Sequence, residues 1–282
     1  MVDLHSHTDR SDGSLSPQEL IKLARRNGVR ALAITDHDTL DGFDAAGETA
    51  RAEGVELVCG IELNTKFRGR AIHILGYFLE APPGEIFRGH LACLQKARRE
   101  RNGRLSKRLK ELGFDVPLEE AEKLGRSQTG RPHFAQAMVA KGYVGSVREA
   151  FDSYLDEAAP GYVERRDASP ENVLRWIREA DGISSWAHPL RFIRESGQAP
   201  AEVFREMARK GLSAVEVYHC DHAPPDSRRL LEAANQLGLA VTGGSDFHGP
   251  EKSKLEVGRL DLPMSLLDDL RAFSAKTFPR AS

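Results

Sequence analysis

Short apolar runs of strand length alternate with amphipathic stretches along most of this 282-residue chain, and most runs stop on a cluster of polar residues. Residues 31–35 (Ala-Leu-Ala-Ile-Thr) show no alternation, the pattern of a parallel strand covered on both faces, and they end in Asp36-His37-Asp38. Residues 2–7 read as the first strand and 55–62 as the third, finishing on Glu62; 70–78 reads as a further strand carrying His73 among Ile72, Ile74 and Leu75. Later runs are 182–187, leading into His188-Pro189, then 214–218, and 239–242, which passes into Gly243-Gly244-Ser245-Asp246-Phe247-His248. Helices are predicted between them. One opens at Ser16-Pro17-Gln18-Glu19, with proline at the first helical position, and stops at Asn27-Gly28; others cover 41–53, 199–210 and 226–237, and one opens at Ser169-Pro170-Glu171.

Strands alternating with helices imply an α/β fold with a parallel sheet, and in barrels of this kind reactive groups gather at the carboxyl ends of the strands. Five strands here carry a His, Asp or Glu at or near that end, where random placement would scatter them. Residues 86–154 differ, with helical spacing throughout and short loops at Gly113, Gly125-Arg126 and Gly142. The predicted organisation is a barrel formed by 1–84 and 160–282, interrupted by an all-helical insertion, 85–159, that caps the substrate.

Charge narrows the partners. A net charge of -2 argues against coating duplex nucleic acid, although a local basic patch can hold one phosphorylated ligand. The three cysteines form no Cys-x-x-Cys pair, which points to a reducing compartment. No apolar run approaches membrane-spanning length, and a second residue that already starts a strand leaves no room for a signal peptide, so a cytoplasmic location is expected.

The candidate chemistry lies at the strand ends. His5 and His7 are two apart on a strand and project from one face, and the turn Ser11-Asp12-Gly13-Ser14 returns Asp12 over them. Taken alone, a His-x-His pair is ordinarily two partly exposed histidines. The accumulation of His37, Glu62, His73, His188, Asp246 and His248 at other strand ends overturns that reading. Nitrogen and oxygen donors without thiolate suit zinc, manganese or iron, and the set is too rich for one four-coordinate ion, so two or three divalent ions are expected. Such a cluster yields hydroxide near neutral pH and neutralises oxyanion charge, the chemistry of phosphoester hydrolysis.

His5-Ser6-His7 with Ser11-Asp12-Gly13, Thr35-Asp36-His37-Asp38, Gly60-Ile61-Glu62, His73, Ala187-His188-Pro189 and Gly244-Ser245-Asp246-Phe247-His248 resemble, in order, the motifs of the PHP (polymerase and histidinol phosphatase) family of metal-dependent phosphoesterases. The resemblance implies a distorted seven-stranded (β/α)7 barrel and a trinuclear site. It assigns His5, His7, Glu62 and Asp246 to one ion, Glu62, His73 and His188 to a second, and Asp12, His37 and His248 to a third. Manganese comes first among the candidate ions, then zinc or iron. Asp36 and Asp38 would orient imidazoles. One departure is that many relatives carry several residues before the first histidine, whereas here Val2 must begin the strand.

In the insertion, residues 96–110 hold eight basic side chains against one acid, Glu100. Such a run is ordinarily a solvated helix face. Leu91, Leu94, Arg98, Arg101, Leu105, Arg108 and Leu112, however, follow steps of three and four, which places Arg98 and Arg101 on an inward stripe that needs an anion. Arg99 flanks the same edge, Asn102 lies four residues after Arg98, and Gly130-Arg131-Pro132-His133 opens another helix whose amides form a second anion site. A similar insertion occurs in the family branch resembling nucleoside 3′,5′-bisphosphate phosphatases and 5′-to-3′ RNA-trimming enzymes. The expected substrate is a small phosphorylated nucleotide, foremost the 3′-phosphate of adenosine 3′,5′-bisphosphate, attacked by a metal-activated hydroxide. The metals take one phosphate; Arg98, Arg99, Arg101, Asn102, Arg131 and His133 take the second.

The alternatives are a 5′-to-3′ exonuclease on short single-stranded RNA, a histidinol phosphatase, and a metal-stabilised accessory module of the kind attached to bacterial DNA polymerases. Catalytic candidates are His188, His222 and Asp246, and the leaving alkoxide takes its proton from His188, His222 or a metal-bound water. His219-Cys220-Asp221-His222 otherwise reads as a decoy, Glu216 as a structural carboxylate under the site, and Trp176 and Trp186 as packing. His90 is assigned nothing.

Overall fold

Seven strands form one sheet in the computed structural model, which describes residues 1–125, 129–164, 167–250 and 256–279: β1 (Val2–Asp3), β2 (Ala31–Ile34), β3 (Glu56–Phe67), β4 (Arg70–Phe78), β5 (Ile183–Trp186), β6 (Ala214–His219) and β7 (Ala240–Gly244), neighbours in that order. β1, β2 and β3 pair in parallel, as do β5, β6 and β7, but β4 runs antiparallel to both its neighbours. The wholly parallel sheet expected from the alternation is thereby corrected. β3 continues past Glu62 to Phe67 and turns back through Arg68-Gly69, so its partner must run the other way.

The sheet closes between its first and last strands. The Leu4 N–H donates to Gly243 O at 3.1 Å, Asp246 N–H to His5 O at 2.9 Å and His7 N–H to Phe247 O at 2.8 Å. The predicted first strand is thus reduced to two ladder residues and an isolated bridge, Ser6 to Phe247, and the Leu4 carbonyl accepts the Tyr77 hydroxyl at 2.8 Å. Gly244 permits this approach: a Cβ there would lie 2.3 Å from the His5 nitrogen.

Burial follows the two-residue period of the strands. Ala31 and Ala33 of β2 pack with Val2, Leu4, Leu75, Tyr77, Ala187 and Ala214, whereas Leu32 and Ile34 pack with Leu20, Ile21 and Ala24 of the helix Pro17–Arg26. The helix Ser265–Thr277, which the pattern reading leaves unassigned, adds Leu266, Leu267 and Leu270 to the first cluster. The helix Leu190–Ser196, also unassigned, follows β5 directly.

By contacts the chain divides into two units, Met1–His90 with Ala168–Ser282, and Leu91–Asp167. The first holds the barrel. The described part of the second is helical, built from the helix Glu85–Glu111, which begins in the first unit, and from Leu118–Gly125, Arg131–Ala140, Val147–Ala150 and a π-helical turn Phe151–Leu155 around Leu105, Leu109, Phe134 and Met138. Arg126, placed in a predicted loop, lies outside the described residues.

Candidate metal centre

Glu62 is the hub. Its carboxylate is buried, and its two oxygens divide five imidazoles between them. Oε1 lies 2.9 Å from His73 Nδ1 and 3.2 Å from His188 Nε2; Oε2 lies 3.4 Å from His5 Nε2, 3.2 Å from His7 Nε2 and 3.2 Å from His37 Nδ1. Asp246 Oδ1 approaches the same two nitrogens of His5 and His7 at 3.2 and 3.3 Å. Asp12 reaches His7 Nδ1 at 3.6 Å through Oδ1 and His248 Nε2 at 3.3 Å through Oδ2.

Donor atoms within 4.8 Å of one another group as His5, His7, Glu62 and Asp246; as His7, Asp12, His37 and His248; and as His37, Glu62 and His73. The first grouping is the first expected ligand set, and the second contains the third expected set with His7 added. The third pairs Glu62 and His73 with His37, where the resemblance gave His188; His188 meets the group through Glu62 Oε1. His73 reaches the mouth because β4 runs backwards, and it is the fourth of nine residues of that strand, not its last.

Several of these nitrogens lack hydrogen-bond partners. Among the described residues, Nε2 of His5, both nitrogens of His7 and Nδ1 of His37 are buried without a hydrogen bond, although each faces a carboxylate oxygen. His5 shows why. Its Nδ1–H donates to Glu216 Oε1 at 2.8 Å, which turns the Nε2 lone pair toward Glu62 and Asp246. His248 repeats the arrangement: Nδ1–H donates to the Asp246 carbonyl at 2.8 Å, and Nε2 faces Asp12. A lone pair aimed at a carboxylate is repulsive unless a proton or a cation lies between them, so these donors fit divalent cations.

Electrostatics agree. Burial opposes charge on His7, but Asp246 and Glu62 outweigh it and hold the ring at about 10; His5 is likewise raised well above the ordinary value by Glu216, Asp246 and Glu62 against its burial. His37 and His188 are pushed by burial to about 4, against the pull of Glu62, and stay neutral, the form that ligates. Glu62, Asp12 and Asp246 are held well below the ordinary carboxylate range because surrounding imidazoles overcome the burial penalty.

The supporting structure departs from expectation in places. Asp36 orients no ring; it accepts the Thr8 N–H at 2.7 Å and the hydroxyls of Thr8 and Ser11 at 2.6 Å each, fixing the turn that carries Asp12. Asp38 accepts from the Asn64 backbone and side chain at 3.3 and 3.2 Å. Glu216, fully buried, also accepts the His188 N–H at 2.6 Å. Asp38, His188 and Asp246 have φ of 54°, 33° and 53°, left-handed backbone that is costly outside glycine and collects at functional sites.

His219, set aside with its motif as a decoy in the sequence, does reach the site. Its Nε2 lies 3.3 Å from Asp246 Oδ2, and its ring lies 6.2 Å from His5 and 5.6 Å from His188. A register shift between Glu216 and Tyr218 changes the strand's parity, which sequence periodicity does not reveal. The expected neighbour, His222, donates Nδ1–H to Val217 O at 2.9 Å and packs on the His219 ring at 5.2 Å; the donor groupings do not include it.

Comparison with known proteins gives the site its context. Residues 3–125 match the PHP domain. Over 94% of its length the chain is 33% identical to a 5′-3′ exoribonuclease of Haemophilus influenzae, covering 96% of that protein. It is 31% identical to a 3′,5′-nucleoside bisphosphate phosphatase of Chromobacterium violaceum, over 93% of this chain and 92% of the relative. The chain belongs to the PHP family of metal-dependent phosphoesterases. A solved structure from Bifidobacterium adolescentis, described as a metal-dependent phosphoesterase, superposes with a TM-score of 0.80 at 30% identity, covering 96% of this chain and 95% of that one.

The residues expected to bind substrate lie in the second unit of this PHP protein. Arg101 and Asn102 are buried there, and the Asn102 amide donates to Thr129 O at 2.8 Å. Arg98 is half-buried. Arg99 does not join them: it is 70% exposed and pairs with Glu122 at 2.8 Å. Arg108, on the predicted stripe, is also exposed; Leu109 takes the inward position after Leu105. Arg131 donates to Leu155 O at 3.1 Å, with its guanidinium over the Phe151 and Tyr162 rings, and His133 Nδ1 accepts the Gly130 N–H at 3.0 Å.

Proposed function

We propose that this protein hydrolyses the 3′-phosphate of a nucleoside 3′,5′-bisphosphate. The observation that carries the reading is Glu62, whose two oxygens are shared among five imidazoles beside Asp246, a donor set for more than one divalent ion. His5, His7, Glu62 and Asp246 would hold one ion, Glu62, His73 and His188 a second, and Asp12, His37 and His248 a third. Bound there, the ions supply the acidity that makes hydroxide from water and the positive charge that a phosphoryl transition state requires.

The chain's own residues do the rest. Glu216 holds His5 and the His188 backbone in place, so that the imidazole nitrogens converge before any ligand arrives. Asp36 anchors residues 8–11, which keeps Asp12 over His7. The second unit, by itself, carries Arg98, Arg101 and Asn102, side chains whose chemistry suits an anion. Likeness to the bisphosphate phosphatase supports a small nucleotide as substrate.

Likeness to the exoribonuclease favours a second reading, stepwise release of nucleotides from short 5′-phosphorylated RNA. One panel separates the readings: phosphate and nucleotide release from adenosine 3′,5′-bisphosphate, AMP, histidinol phosphate and a 5′-phosphorylated trinucleotide, with manganese supplied. The proposal expects phosphate from the bisphosphate above all others. Preferential attack on the trinucleotide would replace it with the second reading.

A further inference from the structure

Arg191 stands at the rim of the candidate metal centre, one turn beyond His188. Its Nη2 lies 2.8 Å from Asp221 Oδ2 and 3.4 Å from Asp246 Oδ2, and its Nε lies 3.3 Å from Asp221. The Arg191 N–H donates to the His188 carbonyl at 3.2 Å, which ties the start of the helix Leu190–Ser196 to a candidate ligand. The side chain remains half exposed, and among the described residues no group accepts from Nη1. A guanidinium is planar with five donors, and here those on Nε and Nη2 are spent on Asp221 and Asp246, which leaves the two on Nη1 uncommitted among the described residues.

We infer that Arg191 binds the phosphate that is cleaved, donating from Nη1 to a non-bridging oxygen, and that Asp221 is its positioning residue. The inference rests on the reading of this centre as a phosphoesterase site and names a further side chain at it. Three observations support it. Asp246 Oδ1 faces His5 and His7 while Oδ2 faces Arg191 and His219, so the guanidinium lies beside the donors without occupying their inner side. Asp221 grips the group at two nitrogens, which fixes the plane of the fork. The anchoring acid is itself exposed at 49%, so this edge opens to solvent, from which a phosphate must enter.

The test uses the full-length manganese-loaded protein and inorganic phosphate as the probe. Phosphate affinity is measured by calorimetry, metal content by elemental analysis, and folding by thermal melting. Arg191→Ala is expected to keep its metal and weaken phosphate binding about 10- to 100-fold, the range of one hydrogen bond to a charged group. Arg191→Lys keeps the charge without the fork and falls between the two. Asp221→Asn is expected to raise the phosphate Kd and the KM of a hydrolysed substrate more than it lowers kcat, with the melting temperature unchanged. Loss of metal from Arg191→Ala with unchanged phosphate affinity per loaded site would overturn the inference, since Arg191 would then serve Asp246 alone. Failure of the wild-type protein to bind phosphate overturns it as well. A protein that binds phosphate through Arg191 yet hydrolyses no member of the substrate panel refutes the proposed reaction and leaves the inference standing.

Discussion

His5 and Glu216 meet at 2.8 Å with neither side chain reached by solvent, and that bond decides which nitrogen of His5 faces the metal centre. Glu216→Ala should lower metal affinity about 10- to 100-fold, the usual cost of removing a group that orients a ligand. Competition against a chelator of known affinity measures it. Glu216→Gln retains an acceptor for Nδ1–H and should lose less; equal affinity in all three proteins would remove Glu216 from the site's design.

Glu62 contacts five imidazoles, so Glu62→Gln should empty more than one metal position together. Activity should fall more than the ~100-fold expected for an orienting residue. Elemental analysis showing full metal content in the variant would contradict the shared-carboxylate geometry.

Metal uptake should release protons. Without metal, His7 holds its proton up to about 10 and His5 is raised in the same direction, so at pH 7 both rings are charged and must be neutralised to ligate. Calorimetric titration with manganese in buffers of different ionisation enthalpy should therefore report net proton release, with apparent affinity rising with pH. Binding without proton release would show that these rings are neutral beforehand.

The same shifts set the pH of greatest stability for the metal-free protein. His37 and His188, lowered to about 4, bind fewer protons folded than unfolded, so their contribution is full above the ordinary value near 6.5 and is lost as pH falls toward 4. His7, raised to about 10, contributes fully below 6.5 and loses that contribution as pH rises to 10. Thermal melting of chelated protein should peak near pH 6.5. A melting temperature that climbs steadily to pH 9 would contradict the assignment.

Gly244→Ala places a methyl group 2.3 Å from the His5 nitrogen, where two backbones cross. Overpacking of this kind costs about 1–3 kcal/mol. Thermal or urea unfolding should show the loss, and the metal centre should weaken with it. An unchanged midpoint would mean that the barrel seam is softer than its hydrogen bonds imply.

Much of this site is legible in the sequence because strand periodicity and strand ends carry it. His5 and His7 share a face by parity, and Glu62, Asp246 and His248 follow apolar runs. The run of apolar residues around His73 shows only that it lies on a strand; it reaches the mouth because that strand is antiparallel, and pairing direction is a non-local property set by the hairpin at Arg68-Gly69. His219 was hidden by a bulge, which no count of alternating residues detects. Arg108 fell off the predicted stripe because helical steps of three and four drift over several turns, and Leu109 faces inward instead. Arg191 carried no pattern at all, since a single arginine after a His-Pro pair resembles any solvated helix residue.

The seam that joins residues 4–7 to residues 243–247 also orders events in time. Glu62 and His73 lie on neighbouring strands, with His37 bridged to Glu62, and all three leave the ribosome well before Asp246, the residue that His5 and His7 face. A nascent chain therefore exposes a partial chelating cluster long before the complete one exists. Loading of the full centre must wait for the last strand to close against the first.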